Sequence, residues 1–163
     1  MRSLARANGV KLGALQYHFR TWDELLRSLV GLIESQIKAE WSSRGLDDGA
    51  TVFEIASFML AGTEAPGDID FGDKLWPQLW AMEEVEPLVA DLLQEVYAEY
   101  LQLLEAAMVR AGIESARGEA LVLMSLLEGE SLFTGPGRRW EAERVLVRAT
   151  ILEFVEKRYG TTI

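Results

Sequence analysis

Cysteine is absent from this 163-residue chain, and histidine occurs once, as His18. The first absence excludes disulfides, thiolate metal ligands and a cysteine nucleophile. The second means that no Ser-His-Asp set can be assembled away from the N-terminal segment. No Gly-rich phosphate loop follows a strand-like run. The carboxylate pairs Asp47-Asp48 and Glu83-Glu84 are adjacent residues, which point apart on a helix and make poor metal or acid–base pairs. An enzyme is therefore not expected, nor a metal, nor a cofactor. No run approaches the about 18–20 uninterrupted apolar residues of a membrane span. MRSLARANGV lacks the apolar core of roughly 7–15 residues that a secretory leader carries. A soluble, cytoplasmic protein without membrane contact is the expectation.

Helix breakers are scarce, with 14 Gly and 4 Pro, and strand-like alternation of β-branched residues is hard to find. Long stretches rich in Ala, Leu, Glu, Met and Arg take their place, which predicts an all-α fold. At 49% apolar composition the chain can bury a sizeable core as one main body with a small appendage. Acidic residues are missing from one place only. Residues 1–22 hold Arg2, Arg6, Lys11 and Arg20 and no Asp or Glu, a local charge of +4 in a chain whose net charge is −10. A basic head on an acidic body approaches a polyanion in one orientation, because the body's field repels what the head attracts.

The spacing predicts one helix ending near Asn8-Gly9 and a second from Leu12 to His18, with Leu12, Leu15 and Phe19 facing inward. Thr21-Trp-Asp-Glu24 matches a capping box that opens a helix to about Ser42, with Leu25, Leu29, Leu32, Ile33 and Ile37 as its apolar stripe. Further helices are expected over 50–61, around Trp76 to Met82, and from Leu88 to about Arg110, which Gly112 stops. A loop spans 62–70, with Pro66-Gly67. The last two helices are expected over Ser115 to Phe133 and Arg138 to Arg158, parted by Thr134-Gly-Pro-Gly137.

A short helix, a Gly turn and a second helix make up a helix-turn-helix. The string LARANGVKLGALQYHFRTWDELL at residues 4–26 resembles the second helix, turn, recognition helix and start of the following helix of the TetR family, through its Gly-x-Leu-x-Tyr-His-Phe core, Gly13 to Phe19. The resemblance implies a TetR-like architecture, with a partial helix-turn-helix DNA-binding head at 1–21 and a helical effector-binding and dimerisation body at 22–163. It further implies a ligand-responsive regulator, a repressor acting as a homodimer on a palindromic operator in double-stranded DNA and released by a small apolar or aromatic effector. Lys11, Gly13 and Ala14 would then meet the phosphate backbone, Gln16 and Tyr17 the base edges, and His18 and Arg20 the adjoining backbone. Three positions depart from the pattern: Lys11 replaces a small hydroxyl residue, Leu12 is unusual, and Trp22 stands where a phosphate-binding Lys is common.

The family's head has a further helix before this pair, and the chain starts part-way through the second. Leu4, Val10, Leu15 and Phe19 are expected to lack part of their cover. Either the start codon is assigned late, or the chain is a ligand-binding or interaction dimer without specific DNA binding; the coherence of the recognition helix favours the first.

For the body, the resemblance implies an effector cavity among the middle helices, for which we single out Phe53, Phe58, Met59, Trp76, Trp80, Met82 and Glu83. Glu83, Glu84 and Gln78 would supply polar specificity or favour a cation. The helix after Ser115 is apolar on more than one face, so it must be covered on two sides. One side is the monomer's core. The other is expected at a dimer interface built from Leu123, Leu126, Leu127, Phe133, Val147, Ile151 and Phe154, in the four-helix arrangement that the family implies.

Overall fold

The structure is a computed structural model, and it describes residues 1–46, 49–61 and 76–160. Asp47-Asp48 and the loop expected at 62–70 lie outside the described residues. Among the described residues there are eight α-helices: α1 Arg2–Ala7, α2 Leu12–His18, α3 Trp22–Ser43, α4 Val52–Ala61, α5 Trp76–Glu83, α6 Pro87–Arg110, α7 Ala116–Thr134 and α8 Arg144–Tyr159. A single 3-10 turn, Glu141–Glu143, precedes α8. The all-α fold expected from the sequence is what forms.

The local signals explain most of the boundaries. Gly9 takes φ +65 between α1 and α2, and Gly112 takes φ +79 after α6, a region that side chains with a Cβ rarely enter. Thr21 Oγ1 accepts from the Glu24 amide at 3.1 Å. Glu24 does not reach back to Thr21, however; its carboxylate accepts from the Arg20 amide at 2.7 Å, so the box closes one residue earlier than the pattern predicts. A complete box that the sequence reading passed over opens α4. Thr51 Oγ1 accepts from the Glu54 amide at 3.2 Å, and Glu54 accepts from the Thr51 amide at 2.8 Å. Pro87 stands in the first turn of α6, where its missing N–H has no partner to lose.

Helix α6 is the spine. Val89, Leu92, Val96, Leu104 and Met108 are buried along its length, and it packs against α3, α4, α5 and α7. Helix α4 lies between α6, α7 and α8 and contributes Ile55, Ala56 and Phe58 to the core. Trp41, Phe58 and Tyr100 form an aromatic cluster at the centre, with Trp41 and Tyr100 rings 4.8 Å apart and the Arg44 guanidinium 5.1 Å from the Phe58 ring.

Two expectations need correction. The buried stripe of α3 is Leu26, Ile33, Ile37 and Glu40, while Leu29 and Leu32 stay exposed; among the described helices α6 is the main neighbour of α3. The last helix starts at Arg144 rather than Arg138. Glu130 of α7 explains the position: its buried carboxylate accepts from Arg144 Nε at 2.9 Å and from Thr134 Oγ1 at 2.6 Å, and pairs with Arg148 at 3.3 Å, which fixes the first turn of α8 against the last turn of α7.

Candidate functional site

The N-terminal helix pair is largely exposed, and its second helix has no fully buried residue. Ala5 is buried, and Leu4, Leu12, Leu15 and Phe19 are half-buried beneath the pair, whereas Val10 remains open at 46% exposure. Lys11, Gly13, Ala14, Gln16, Tyr17, His18 and Arg20, the seven nucleic-acid candidates, are all exposed to solvent. Tyr17 is 84% exposed and stacks edge-on to His18, with ring centroids 5.3 Å apart. An aromatic ring so bare contributes nothing to the core.

A cleft of about 320 Å³ opens between α5, α6 and α7, lined by Trp80, Tyr97, Met124, Ser125, Glu128 and Leu132. Trp80 Nε1 donates to Tyr97 Oη at 2.6 Å, and that hydroxyl donates in turn to Glu128 Oε2 at 3.3 Å. Burial pushes the Glu128 carboxyl up to about 7, with the Tyr97 hydrogen bond opposing it only in part. The Tyr97 phenol is held above its ordinary range by burial, by Glu128 and, more weakly, by the charge of Glu83. Among the described residues Glu128 has Tyr97 as its hydrogen-bond partner and no ion pair.

Of the seven effector candidates, Trp80 lines this cleft and Glu83 acts on it through its field. Phe58 is buried in the aromatic core, Met59, Trp76 and Met82 are half-buried against it, and Phe53 is exposed. The sequence reading missed Tyr97, Met124, Ser125, Glu128 and Leu132. A signal for Glu128 existed: it is a carboxylate in the middle of a helix whose neighbouring turns are apolar on several sides.

Helices α7 and α8 form a second groove of about 540 Å³, lined by Leu126, Phe133, Leu146, Val147 and Ile151 among others. Of the residues expected at a dimer face, Leu123, Leu127 and Ile151 are buried inside the monomer. Val147 is half-buried, and Leu126, Phe133 and Phe154 are exposed, Phe133 at 61%. Val122, Val145 and Leu146 are exposed nearby and extend the apolar surface.

No helix among the described residues is long and apolar enough to cross a membrane. No family model and no curated protein matches the chain. A solved structure does: a protein from Saccharomonospora viridis, described as a transcriptional regulator and crystallised in complex with choline, superposes with a TM-score of 0.72 over 96% of this chain and 84% of that one, at 19% sequence identity. At that identity the likeness is one of fold.

Proposed function

We propose that this chain is a ligand-responsive, DNA-binding transcriptional regulator of the TetR type, a repressor that works as a homodimer. The observation that carries the reading is the N-terminal helix pair. Seven exposed residues, including a bare Tyr17 and a Gln16 suited to an adenine edge, lie within ten positions of one another in the longest stretch of the chain without an acidic residue, 1–22, which carries four basic ones. Side chains kept out of the core and ringed by positive charge suit a major groove.

The cleft between α5, α6 and α7 supplies the effector site in this reading, and the choline held by the Saccharomonospora viridis protein supports a small-molecule ligand. The outer face of α7 and α8, with Leu126, Phe133, Leu146 and Phe154 exposed, is the homodimer face, because an apolar surface of this kind is rarely left to water. Effector and DNA communicate along α6. That helix carries Tyr97 at the cleft, and Glu86 at its N-cap accepts from the indole of Trp22, the first residue after the DNA-binding face. An effector that fits one setting of α6 better than the other shifts the spacing of the two heads and so the affinity for DNA.

The test is selection of bound sequences from random duplex DNA, followed by anisotropy titration across salt. A palindromic site bound tightly is expected, with an affinity that falls steeply with salt and is lost in Tyr17→Ala while the melting temperature holds. Binding no tighter than to random DNA overturns the reading.

A further inference from the structure

We infer that the α5–α6–α7 cleft takes a small monovalent organic cation of the quaternary or alkylated ammonium class, with its charge set against Glu128 and its alkyl groups against Trp80 and Met124. The inference rests on reading this cleft as the effector site and names the chemistry of what fills it.

Three observations carry it. The first is that a carboxylate stands in a cleft otherwise lined by an indole, a phenol, a thioether, a leucine and one serine hydroxyl, with no other charged group. A neutral apolar ligand would take away the water that Glu128 still meets and leave its charge without compensation, which is costly. A cation supplies that compensation. The second is that the aromatic members suit a diffuse positive charge: the faces of Trp and Tyr attract ammonium groups, most strongly when the site is shielded from water. The third is that, among the described residues, Glu128 forms no ion pair. Arg144 and Arg148 pair with Glu130, two residues further along α7. Glu83 adds a second negative charge close enough to act on Tyr97, so the field at the cleft is negative from α5 as well as from α7. Volume sets the upper bound. About 320 Å³ accommodates a molecule of a few to a dozen heavy atoms and not a bulky multi-ring compound.

The experiment is calorimetric titration of the whole chain with choline chloride and with benzyltrimethylammonium chloride, each beside its uncharged isostere in which a quaternary carbon replaces the nitrogen. At least one cation is expected to bind about tenfold or more tightly than its isostere, the range that charge compensation and aromatic contact together provide. Glu128→Gln is expected to bring the pair within about twofold by weakening the cation alone. Ser125→Phe, at an exposed position on the cleft wall, is expected to abolish both, and circular dichroism melts establish that each variant is folded. Equal affinity for cation and isostere in the unaltered chain, an unchanged preference in folded Glu128→Gln, or no binding of either cation at millimolar concentration each overturn the inference. No DNA enters these titrations, so a failure here leaves the anisotropy assay to judge the regulator reading by itself.

Discussion

The indole Nε1 of Trp22 donates to Glu86 Oε1 at 2.9 Å, joining the first residue of α3 to the N-cap of α6 across 64 positions of sequence. The bond lies near the surface, so its loss costs on the order of 1 kcal/mol or less in stability. Its position gives it leverage that its energy does not. Trp22→Phe is expected to leave the melting temperature within a few degrees. DNA affinity without effector should also hold, while the factor by which effector weakens that affinity falls severalfold. Anisotropy titrations with and without choline measure both numbers.

Glu128 gives the fold an unusual pH response. Its carboxyl is raised from 4.5 to about 7. The folded state therefore holds this proton more tightly than the unfolded chain does. The stability linked to it is present in full below the unfolded value and is lost as pH rises through about 7. The titratable groups that face it are Tyr97 and Tyr100 of α6, both neutral throughout this range, and the charge nearest them on α5 is Glu83, which acts on Tyr97. Glu128→Gln is expected to flatten the decline between pH 5 and 8 and to gain up to about 3 kcal/mol at the alkaline end. Denaturant titrations at several pH values check this. For the same reason cation affinity should rise by roughly tenfold from pH 6 to 8 in the unaltered chain and stay level in the variant.

Glu130 has the opposite environment. Burial would raise its carboxyl, but hydrogen bonds from Arg144, Thr134 and Arg148 outweigh that and hold it below the ordinary range. Its stabilisation is present above the unfolded carboxylate value and is lost as pH falls through the lowered one. With its side chain only 2% exposed, Glu130→Ala leaves two guanidinium groups without their shared acceptor and is expected to destabilise the fold by about 3–5 kcal/mol. Thermal melts should show a loss of many degrees, where Glu128→Gln shows none.

The α7–α8 face makes a separate prediction. Phe133 is 61% exposed and rests against Trp140 with ring centroids 6.3 Å apart. In an isolated monomer a charge there is nearly neutral, because the position already meets water. Phe133→Glu is expected to convert a dimer into a monomer in sedimentation velocity while helicity is unchanged. A monomeric unaltered chain removes the dimer reading.

The helices were legible because their signals are local. Gly9, Thr21, Pro87 and Gly112 act within one turn of where they stand, and the exposure of seven residues in a single short segment needs no long-range contact. The cleft was not legible. It depends on the register of α5 against α6 and α7, which placed Trp80 beside Tyr97 and sent Phe58 to Trp41 and Tyr100 in the core. Bulk and aromaticity are equal in the two tryptophans, so the sequence offers no way to sort one from the other. Leu123 and Leu126 illustrate the same limit: both belong to the apolar run of α7, and only the packing of that helix leaves the first buried and the second exposed.

Helix α6 has a tryptophan hydrogen-bonded near each of two points on its course, Trp22 at Glu86 and Trp80 at Tyr97. Eleven residues of helix separate them, about 16 Å along the axis. Indole emission responds to the loss of a hydrogen bond and to a charge placed near the ring. The chain thus carries two optical reporters along α6, one at the cleft between α5, α6 and α7 and one beside the N-terminal helix pair. Replacing either with phenylalanine removes its share from the emission of the chain's five tryptophans, so the difference between variant and unaltered chain reports on that one position without an added dye.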